Sequence, residues 1–302
     1  IYTLSLHDAL PIWRNTMHKI AHMTAAILAA AACSAQAADV IDLWPEGAPN
    51  KSTITAAEET NAQGSIFNVT RARLEVSAPA NPNGKAVIVI PGGGYGNLSM
   101  STIEKSFVPF FHSQGFTTFV LKYRLPKGNP EVPLADANKA VETVRSLFGK
   151  YNLHTVGVMG ASAGGHLAAM SSVSCKGAAC PDFSVLVYPN ITMMQEESQP
   201  KSSCRNNLIG PARSVKYDTT FSAYKHVSLT TPPAFLAVSA GDEYAGSLGS
   251  MLYARAMIEN ARPVTLHVYE SGNHGWGAES SADFPDGDNF RTDLSMWLKK
   301  IK

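Results

Sequence analysis

The segment GASAG, residues 160–164, places a serine between two glycines, where an apolar run gives way to a helix-favouring stretch. The four preceding residues, VGVM at 156–159, suit a buried strand. A G-x-S-x-G sequence between a strand and a helix is typical of a sharp turn that lifts a serine hydroxyl above the end of a sheet. We therefore predict that Ser162 is a nucleophile. The simpler alternative is a plain glycine-rich turn.

A serine hydroxyl is a weak nucleophile, so a histidine must take its proton and a carboxylate must orient that histidine. His274 stands in the loop GNHGWG, residues 272–277, directly after a predicted strand. The flanking glycines leave the imidazole room to reach over the edge of the sheet. We expect His274 to be the general base, in preference to His267, which lies inside the predicted strand.

The carboxylate is expected between the serine and the histidine in chain order, at the tip of another strand. The predicted strand 234–240 is followed by the sequence GDE, residues 241–243. We assign Asp242 as the acid because it comes at the end of the strand. Glu243 remains the alternative.

Three glycines in PGGGY, residues 91–95, directly follow the predicted strand 86–90. Glycines let backbone N–H groups approach the oxyanion of a tetrahedral intermediate. We predict that Gly93 and Gly94 donate these hydrogen bonds together with the N–H of Ala163. A phosphate-binding loop is the rival interpretation, but the segment has neither a Walker lysine nor the order G-x-G-x-x-G.

Strands and helices alternate along the chain, which predicts an α/β fold with a mostly parallel central sheet and helices on both faces. Such sheets carry their sites beyond the carboxyl ends of the strands, where all the segments above fall. An irregular insert at 188–233 is expected near the active site. The predicted strands are 67–76, 86–90, 116–123, 155–159, 183–187, 234–240 and 264–269. The predicted helices are 101–114, 133–150, 163–173, 247–261 and 289–300.

Composition favours one domain. The chain has 302 residues, 45% of them hydrophobic, which allows a single domain over residues 38–302 with a sizeable core. The net charge is +1 and no basic run is present, which argues against a nucleic-acid partner.

Tyr95, Tyr188 and Trp276 lie near the predicted site in the sequence and are candidates for substrate binding by stacking on sugar rings. The alternative is that they are ordinary packing residues.

The first 37 residues form two segments that do not belong to the predicted domain. Residues 1–16 precede Met17 and look like translated read-through that is not part of the natural protein. Residues 17–37 combine a basic start, an apolar stretch and the sequence Ala-Gln-Ala, which predicts a secretory signal peptide cleaved after Ala37. The apolar stretch is too short to span a bilayer. We expect a secreted or periplasmic protein with no membrane span in the mature chain.

Cys175, Cys180 and Cys204 remain once this leader is set aside. In an oxidising compartment we expect a small local disulfide between Cys175 and Cys180, although Cys204 could pair with either. One cysteine stays unpaired in every case. The spacing CxxxxC without nearby histidines is poor for zinc, so we expect no metal.

Several segments together resemble a bacterial α/β-hydrolase family, BD-FAE, which contains acetylxylan esterases and feruloyl-esterase-like domains. The resemblance covers residues 40–301 and is carried by PGGGY (91–95), LKYRLP (121–126), PLADA (133–137), GASAGGHLA (160–168), TPPAFL (231–236) and LHVYESGNHGWG (266–277). It implies the α/β-hydrolase fold, ester hydrolysis without a cofactor, and frequently acetylated plant polysaccharide as substrate. By motif match, Ser162, Asp242 and His274 form the triad. The chain departs from the family pattern at DEYAGSL (242–248), which lacks the usual Val-Pro pair.

The sequence therefore predicts an exported serine esterase that hydrolyses short acyl esters, acetyl esters above all, on plant polysaccharide through an acyl-enzyme. Its partner is a small-molecule or polysaccharide ester, and it uses no cofactor. One alternative is a serine peptidase related to prolyl oligopeptidase, disfavoured because no propeller-sized domain precedes the hydrolase segments. The other is a non-catalytic carbohydrate-binding protein, disfavoured by the complete set of predicted catalytic residues.

Overall fold

An eight-stranded sheet is the centre of the computed structural model, which describes residues 39–199, 201–212 and 214–302. The predicted read-through 1–16 and the predicted signal peptide 17–37 lie outside the described residues. The described strands are, in chain order, β1 (Asp39–Asp42), β2 (Glu59–Thr60), β3 (Ser65–Phe67), β4 (Arg73–Ser77), β5 (Lys85–Ile90), β6 (Leu98–Ser99), β7 (Thr117–Lys122), β8 (Thr155–Ala161), β9 (Ser184–Val187), β10 (Ala234–Ser239) and β11 (Val264–Tyr269).

The spatial order in the large sheet is β1-β4-β7-β5-β8-β9-β10-β11. Strand β4 runs antiparallel to its neighbours β1 and β7, and every other neighbouring pair is parallel. Every residue of β7, β8 and β10 is buried, which requires cover on both faces of the sheet. The prediction of a mostly parallel sheet in an α/β fold is confirmed.

Helices provide this cover. The first, α1, is a continuous helical segment made of Met100–Thr102, the π-helical Ile103–Phe107 and Val108–Ser113. The others are α2 (Glu131–Ser146), α3 (Phe148–Tyr151), α4 (Ala163–Ser174), α5 (Cys204–Ile209), α6 (Val215–Thr220), α7 (Leu248–Glu259) and α8 (Gly287–Leu298). Helix α2 packs on α4, and α1 contacts α8 through Phe107, Phe110 and Phe290. The insert 188–233, predicted as irregular, contains the short helices α5 and α6.

The predicted strand 67–76 is not one strand, so this prediction was wrong. Strands β3 and β4 are separated at Asn68, whose φ of 57° is a left-handed conformation that no continuous strand contains. Strand β3 joins β2 and β6 in a small antiparallel sheet, whereas β4 joins the large sheet. Apolar residues alternate with polar ones on each side of the break, at 67 and 69 and again at 72, 74 and 76, and only the two consecutive polar residues Thr70 and Arg71 interrupt the pattern.

A buried ion pair joins two of the segments that carry the family resemblance. Arg124 follows β7 and Asp136 lies in α2, and the guanidinium donates to the carboxylate at 2.6 to 3.0 Å. The indole N–H of Trp44 donates to the same carboxylate at 2.7 Å. Both charged side chains are at most 3% exposed. Because the loss of either partner would leave an uncompensated buried charge, the pair fixes the segment after β7 against α2.

Candidate active site

Ser162 stands at the tip of a tight turn between β8 and α4. Its backbone angles, φ 58° and ψ −123°, are unusual for a residue other than glycine and mark a strained turn. A Cβ on Gly160 would lie 2.1 Å from the carbonyl oxygen of Gly164, and one on Gly164 would lie 2.2 Å from that of Ile90. Both glycines of the motif are therefore required, because the backbone passes too close for any side chain.

Backbone hydrogen bonds hold Ser162 in this conformation. Its amide N–H donates to the carbonyl of Val187 at 3.0 Å. Its own carbonyl accepts the N–H of His166 at 3.0 Å and that of Asn190 at 3.3 Å. The turn is thus tied to the end of β9, to α4 and to the insert, while the half-buried serine side chain faces a cavity.

The structure brings the predicted base to the predicted nucleophile. Nε2 of His274 lies 2.7 Å from Oγ of Ser162, and Nδ1 lies 2.8 Å from Oδ2 of Asp242. An ionised carboxylate can only accept hydrogen bonds, so Nδ1 carries the proton and Nε2 is left to accept the serine hydroxyl. This tautomer is the one that general-base catalysis by a histidine needs.

Asp242 is a buried carboxylate that the surrounding donors keep ionised. Its Oδ1 accepts the backbone N–H groups of Tyr244 and Ala245, each at 2.8 Å. Burial by itself raises the pKa of this carboxyl. The hydrogen bond and charge of His274, together with the two amides, outweigh burial and bring the pKa of Asp242 below its ordinary value.

Glu243, the alternative acid, points away from the histidine. Its side chain is 54% exposed and forms an ion pair with Lys201. Its backbone N–H donates to the side-chain oxygen of Asn273 at 3.0 Å. Of the two neighbouring carboxylates, the structure brings Asp242 to the imidazole and leaves Glu243 at the surface.

In the loop after β5, hydrogen bonds to the carbonyl oxygens of Gly92 and Gly93 fix the orientation of two peptide groups. The carbonyl of Gly92 accepts the N–H of Ser99 at 3.1 Å, and the carbonyl of Gly93 accepts the N–H of Gly96 at 3.0 Å. In a trans peptide the N–H points opposite to the C=O. The N–H groups of Gly93 and Gly94 are therefore directed away from these donors.

Gly93 and Gly94 line the same cavity as Ser162. Within the part of the chain that the structure describes, their N–H groups and that of Ala163 have no backbone acceptor outside the helices and strands. Ala163 begins α4 directly after the serine. A Cβ on Gly93 would lie 2.2 Å from the carbonyl oxygen of Asn97, so only glycine fits there. The three predicted donors remain candidates to bind an oxyanion.

A cavity of about 250 Å³ opens in front of Ser162. One wall is formed by Thr102 and Ile103 of α1, and another by Asn190 and residues 202–204 of the insert. The cavity is open to solvent on one side. A space of this size admits a small acyl group and leaves a larger alcohol group at the open rim.

The structure does not place the faces of Tyr95 and Trp276 in this cavity, and this corrects the expectation that they stack on substrate. Tyr95 is 2% exposed, and its hydroxyl lies 2.7 Å from Nδ1 of His166 in the core. Trp276 is 7% exposed, and its ring stacks on Phe284 with 4.1 Å between centroids. Protein atoms already cover both rings, so they pack the core.

Tyr188, the third predicted aromatic, does line the cavity, but only 2% of its surface is exposed. Tyr244, which is not among the predicted aromatics, lines the same cavity and is 46% exposed. Its ring centroid lies 5.5 Å from that of His274. One sequence signal could have identified Tyr244, because it comes two residues after Asp242 at the tip of a strand.

Cys175 and Cys180 form a disulfide, with their Cα atoms 4.9 Å apart, and Cys204 is buried and unpaired. Of the predicted alternatives, this is the local pairing.

Among the described residues, no cluster of three or more histidine, cysteine, aspartate or glutamate side chains could hold a metal ion. No helix in that part of the chain combines the length and the apolar character needed to cross a bilayer.

Comparisons with known proteins identify the family of this chain. The BD-FAE family model matches residues 74–255. An acetylxylan esterase of Xylanibacter ruminicola is 34% identical over 240 residues, which are 76% of this chain and 48% of that protein, so the chain spans about half the length of this relative.

Solved structures are similar over most of the chain. An acetyl ester-xyloside bifunctional hydrolase from Caldicellulosiruptor lactoaceticus superposes with a TM-score of 0.70 at 26% identity, covering 89% of this chain and 98% of that one. A carboxylesterase from Lactobacillus plantarum gives a TM-score of 0.62 at 20% identity over 80% of this chain and 95% of that one, a likeness of fold. The chain has the α/β-hydrolase fold and belongs to the BD-FAE family.

Proposed function

We propose that this chain is an exported serine esterase that hydrolyses short acyl esters, acetyl esters above all, on plant polysaccharide. The observation that carries the proposal is the unbroken hydrogen-bond chain from Asp242 through His274 to Ser162. Beside it, Gly93 and Gly94 face the same cavity. These groups can activate a hydroxyl, orient its base and bind an oxyanion, which are the requirements of acyl transfer.

In the first half-reaction, Oγ of Ser162 attacks the carbonyl carbon of the ester while its proton passes to Nε2 of His274. The carbonyl electron pair moves onto oxygen, where the N–H groups of Gly93, Gly94 and Ala163 stabilise the charge. The bond to the alcohol oxygen then breaks, and His274 returns the proton to that oxygen. The sugar leaves with a free hydroxyl, and the acyl group stays on the serine.

In the second half-reaction, water takes the place of the alcohol. His274 accepts a proton from the water as its oxygen attacks the acyl carbon, and then protonates Oγ of Ser162 as the acid departs. Asp242 stays ionised throughout, since its pKa lies below the ordinary value, and its charge stabilises the imidazolium in both steps.

The relatives and the cavity favour a carbohydrate ester as substrate. The names of two similar proteins refer to acetylxylan and to an acetyl ester-xyloside. The cavity of about 250 Å³ suits a small acyl group. The exposed ring of Tyr244 at its rim offers a face on which the sugar of the leaving group can lie.

Export is supported by the disulfide between Cys175 and Cys180, because such bonds persist in oxidising compartments. Expression of the chain from Met17 with its leader tests this. The mature protein is expected outside the cytoplasm with Ala38 as its first residue. A cytoplasmic protein that retains residues 17–37 would contradict it.

Hydrolysis of p-nitrophenyl acetate tests the catalytic proposal. Wild-type protein should release p-nitrophenol, Ser162→Ala should abolish the release, and Ser146→Ala, which removes an exposed serine of α2, should leave it intact. Activity that survives Ser162→Ala would overturn the assignment of the nucleophile.

A substrate panel then separates the function classes. Acetate release from acetylated xylan is expected to exceed ferulate release from feruloylated xylan and cleavage of proline-containing peptides. Faster peptide cleavage would favour a peptidase. Binding to xylan without any hydrolysis would favour a carbohydrate-binding protein.

A further inference from the structure

Tyr95 directly follows the two candidate donor glycines and combines an unusual backbone with a buried ring. Its φ of 61° is left-handed, a conformation that is unfavourable for a bulky residue. The residue is 2% exposed, and its hydroxyl lies 2.7 Å from Nδ1 of His166, which is 1% exposed. Strained backbone persists only where surrounding contacts hold it, and it is common at functional sites, so the contact of Tyr95 with His166 is a candidate for a functional role.

The hydrogen bond between these two side chains has a defined direction. Nε2 of His166 lies 2.7 Å from the carbonyl oxygen of Phe221, which can only accept, so Nε2 carries the hydrogen. Burial lowers the pKa of His166 to about 4, although the hydrogen bond to Phe221 opposes this shift. The ring is therefore neutral at pH 7, and its Nδ1 accepts the hydrogen bond from the hydroxyl of Tyr95.

His166 also belongs to the helix that begins at the nucleophile. It lies one turn after Ser162 in α4, and its backbone N–H donates to the carbonyl of Ser162 at 3.0 Å. Tyr95 is joined covalently to Gly94. The buried bond thus connects the loop that carries the two N–H donors to the helix that begins directly after the serine.

We propose that Tyr95 and His166 are positioning residues: their hydrogen bond sets the distance between the N–H groups of Gly93 and Gly94 and the hydroxyl of Ser162. This inference rests on the proposed function, since it needs Ser162 to be the nucleophile. Neither side chain touches the substrate. Loss of the bond misplaces donors that act on the tetrahedral oxyanion, so transition-state binding weakens while ester binding does not.

The substitution Tyr95→Phe removes the hydroxyl and keeps the ring. With p-nitrophenyl acetate, kcat is expected to fall about tenfold or more while KM changes less than about twofold. Phenylboronic acid provides a second measurement, because its boron forms a tetrahedral adduct with a serine Oγ. Its inhibition constant should rise by the same factor as kcat/KM falls, a parallel that a purely structural role would not produce.

The matched control is Tyr253→Phe, since Tyr253 is a buried tyrosine whose hydroxyl has no hydrogen-bond partner in the described part of the chain. It should leave kcat and the inhibition constant unchanged. In a His166→Leu background, Tyr95→Phe is expected to cause little further loss of kcat, because the bond is already absent.

Two results would overturn this inference and leave the proposed function intact. One is an active wild type in which Tyr95→Phe lowers the melting temperature but leaves kcat and the inhibition constant within twofold of the wild-type values. The other is full additivity of the two substitutions. A wild-type chain with no Ser162-dependent hydrolysis would instead overturn the proposed function and this inference with it.

Discussion

The ring of Tyr188 lies edge-on to the imidazole of His274, with 4.9 Å between the ring centroids and an interplanar angle of 62°. Its hydroxyl donates to the backbone carbonyl of Trp276 at 2.6 Å. Trp276 comes two residues after the histidine in the same loop. One buried side chain therefore contacts both the candidate base and the loop that carries it.

The substitution Tyr188→Phe is expected to loosen this loop. It keeps the ring against His274 but leaves the buried carbonyl of Trp276 without its donor, which costs about 1–3 kcal/mol of stability. We expect kcat for p-nitrophenyl acetate to fall severalfold with little change in KM. Urea unfolding and steady-state kinetics measure the two effects, and Tyr253→Phe is again the matched control. Unchanged stability would show that the hydroxyl of Tyr188 does not hold the loop.

Substitutions of the two neighbouring carboxylates are expected to differ greatly in their effect on kcat. Asp242→Asn should lower kcat by about 10³- to 10⁴-fold, because an amide cannot stabilise the imidazolium or impose the correct tautomer on His274. Glu243→Gln removes an exposed carboxylate that is paired with Lys201 and should change kcat by less than about twofold. Kinetics of both variants with p-nitrophenyl acetate make the comparison. The reverse ranking would make Glu243 the acid.

The sequence predicted most elements because their patterns are local. Strand β11 has the predicted bounds, 264–269, and the strand-turn-helix around Ser162 follows from three glycines and an apolar run. The split of the predicted strand 67–76 is marked in the sequence only by the consecutive polar residues Thr70 and Arg71, since it depends on the backbone angle of Asn68 and on pairing with strands distant in the chain. Secondary structure of this kind is decided by tertiary contacts.

Side-chain direction explains why the predicted aromatics differ from the observed lining. Tyr95 follows glycines whose positive φ angles turn the chain, and its ring points into the core and not over the site. Trp276 is covered by Phe284, which comes from eight residues further along the chain. The backbone N–H of Tyr244 donates to the carboxylate of Asp242, and its ring is left exposed. Closeness to the site in the sequence does not predict the directions of these side chains.

Tyr244 is expected to separate sugar esters from simple esters. Tyr244→Ala should raise KM for acetylated xylo-oligosaccharides about tenfold, because it removes the exposed ring on which we propose that the sugar lies, and a tenfold change corresponds to about 1.4 kcal/mol of lost binding free energy. The KM for p-nitrophenyl acetate should change much less. Tyr244→Phe should retain the wild-type values, since the face of the ring is kept.

Tyr217→Ala is the matched control for this prediction. Tyr217 is 53% exposed in α6 and does not line the cavity. Its loss should leave both KM values unchanged. Equal effects of Tyr244→Ala on the oligosaccharide and on p-nitrophenyl acetate would place the sugar elsewhere on the rim.

Protonation of His166 couples folding to pH. Burial lowers the pKa of His166 from 6.5 to about 4 in the folded protein, whereas an unfolded chain keeps the ordinary value. Between these two pH values the unfolded chain binds more protons than the folded protein, so acidification favours unfolding. The stability that the neutral ring contributes is complete above pH 6.5 and is lost progressively as the pH falls from 6.5 to about 4.

Urea unfolding of the wild type and of His166→Gln between pH 4 and pH 7 measures this coupling. Each pH unit of the window corresponds to about 1.4 kcal/mol, so the wild type should lose about 3 kcal/mol more than the variant across it. The difference between the two curves cancels the other titrating groups that they share. His226→Gln removes an exposed histidine and should follow the wild-type curve. Parallel curves for the wild type and His166→Gln would mean that the imidazole is not held neutral, and the direction assigned to its bond with Tyr95 would then be wrong.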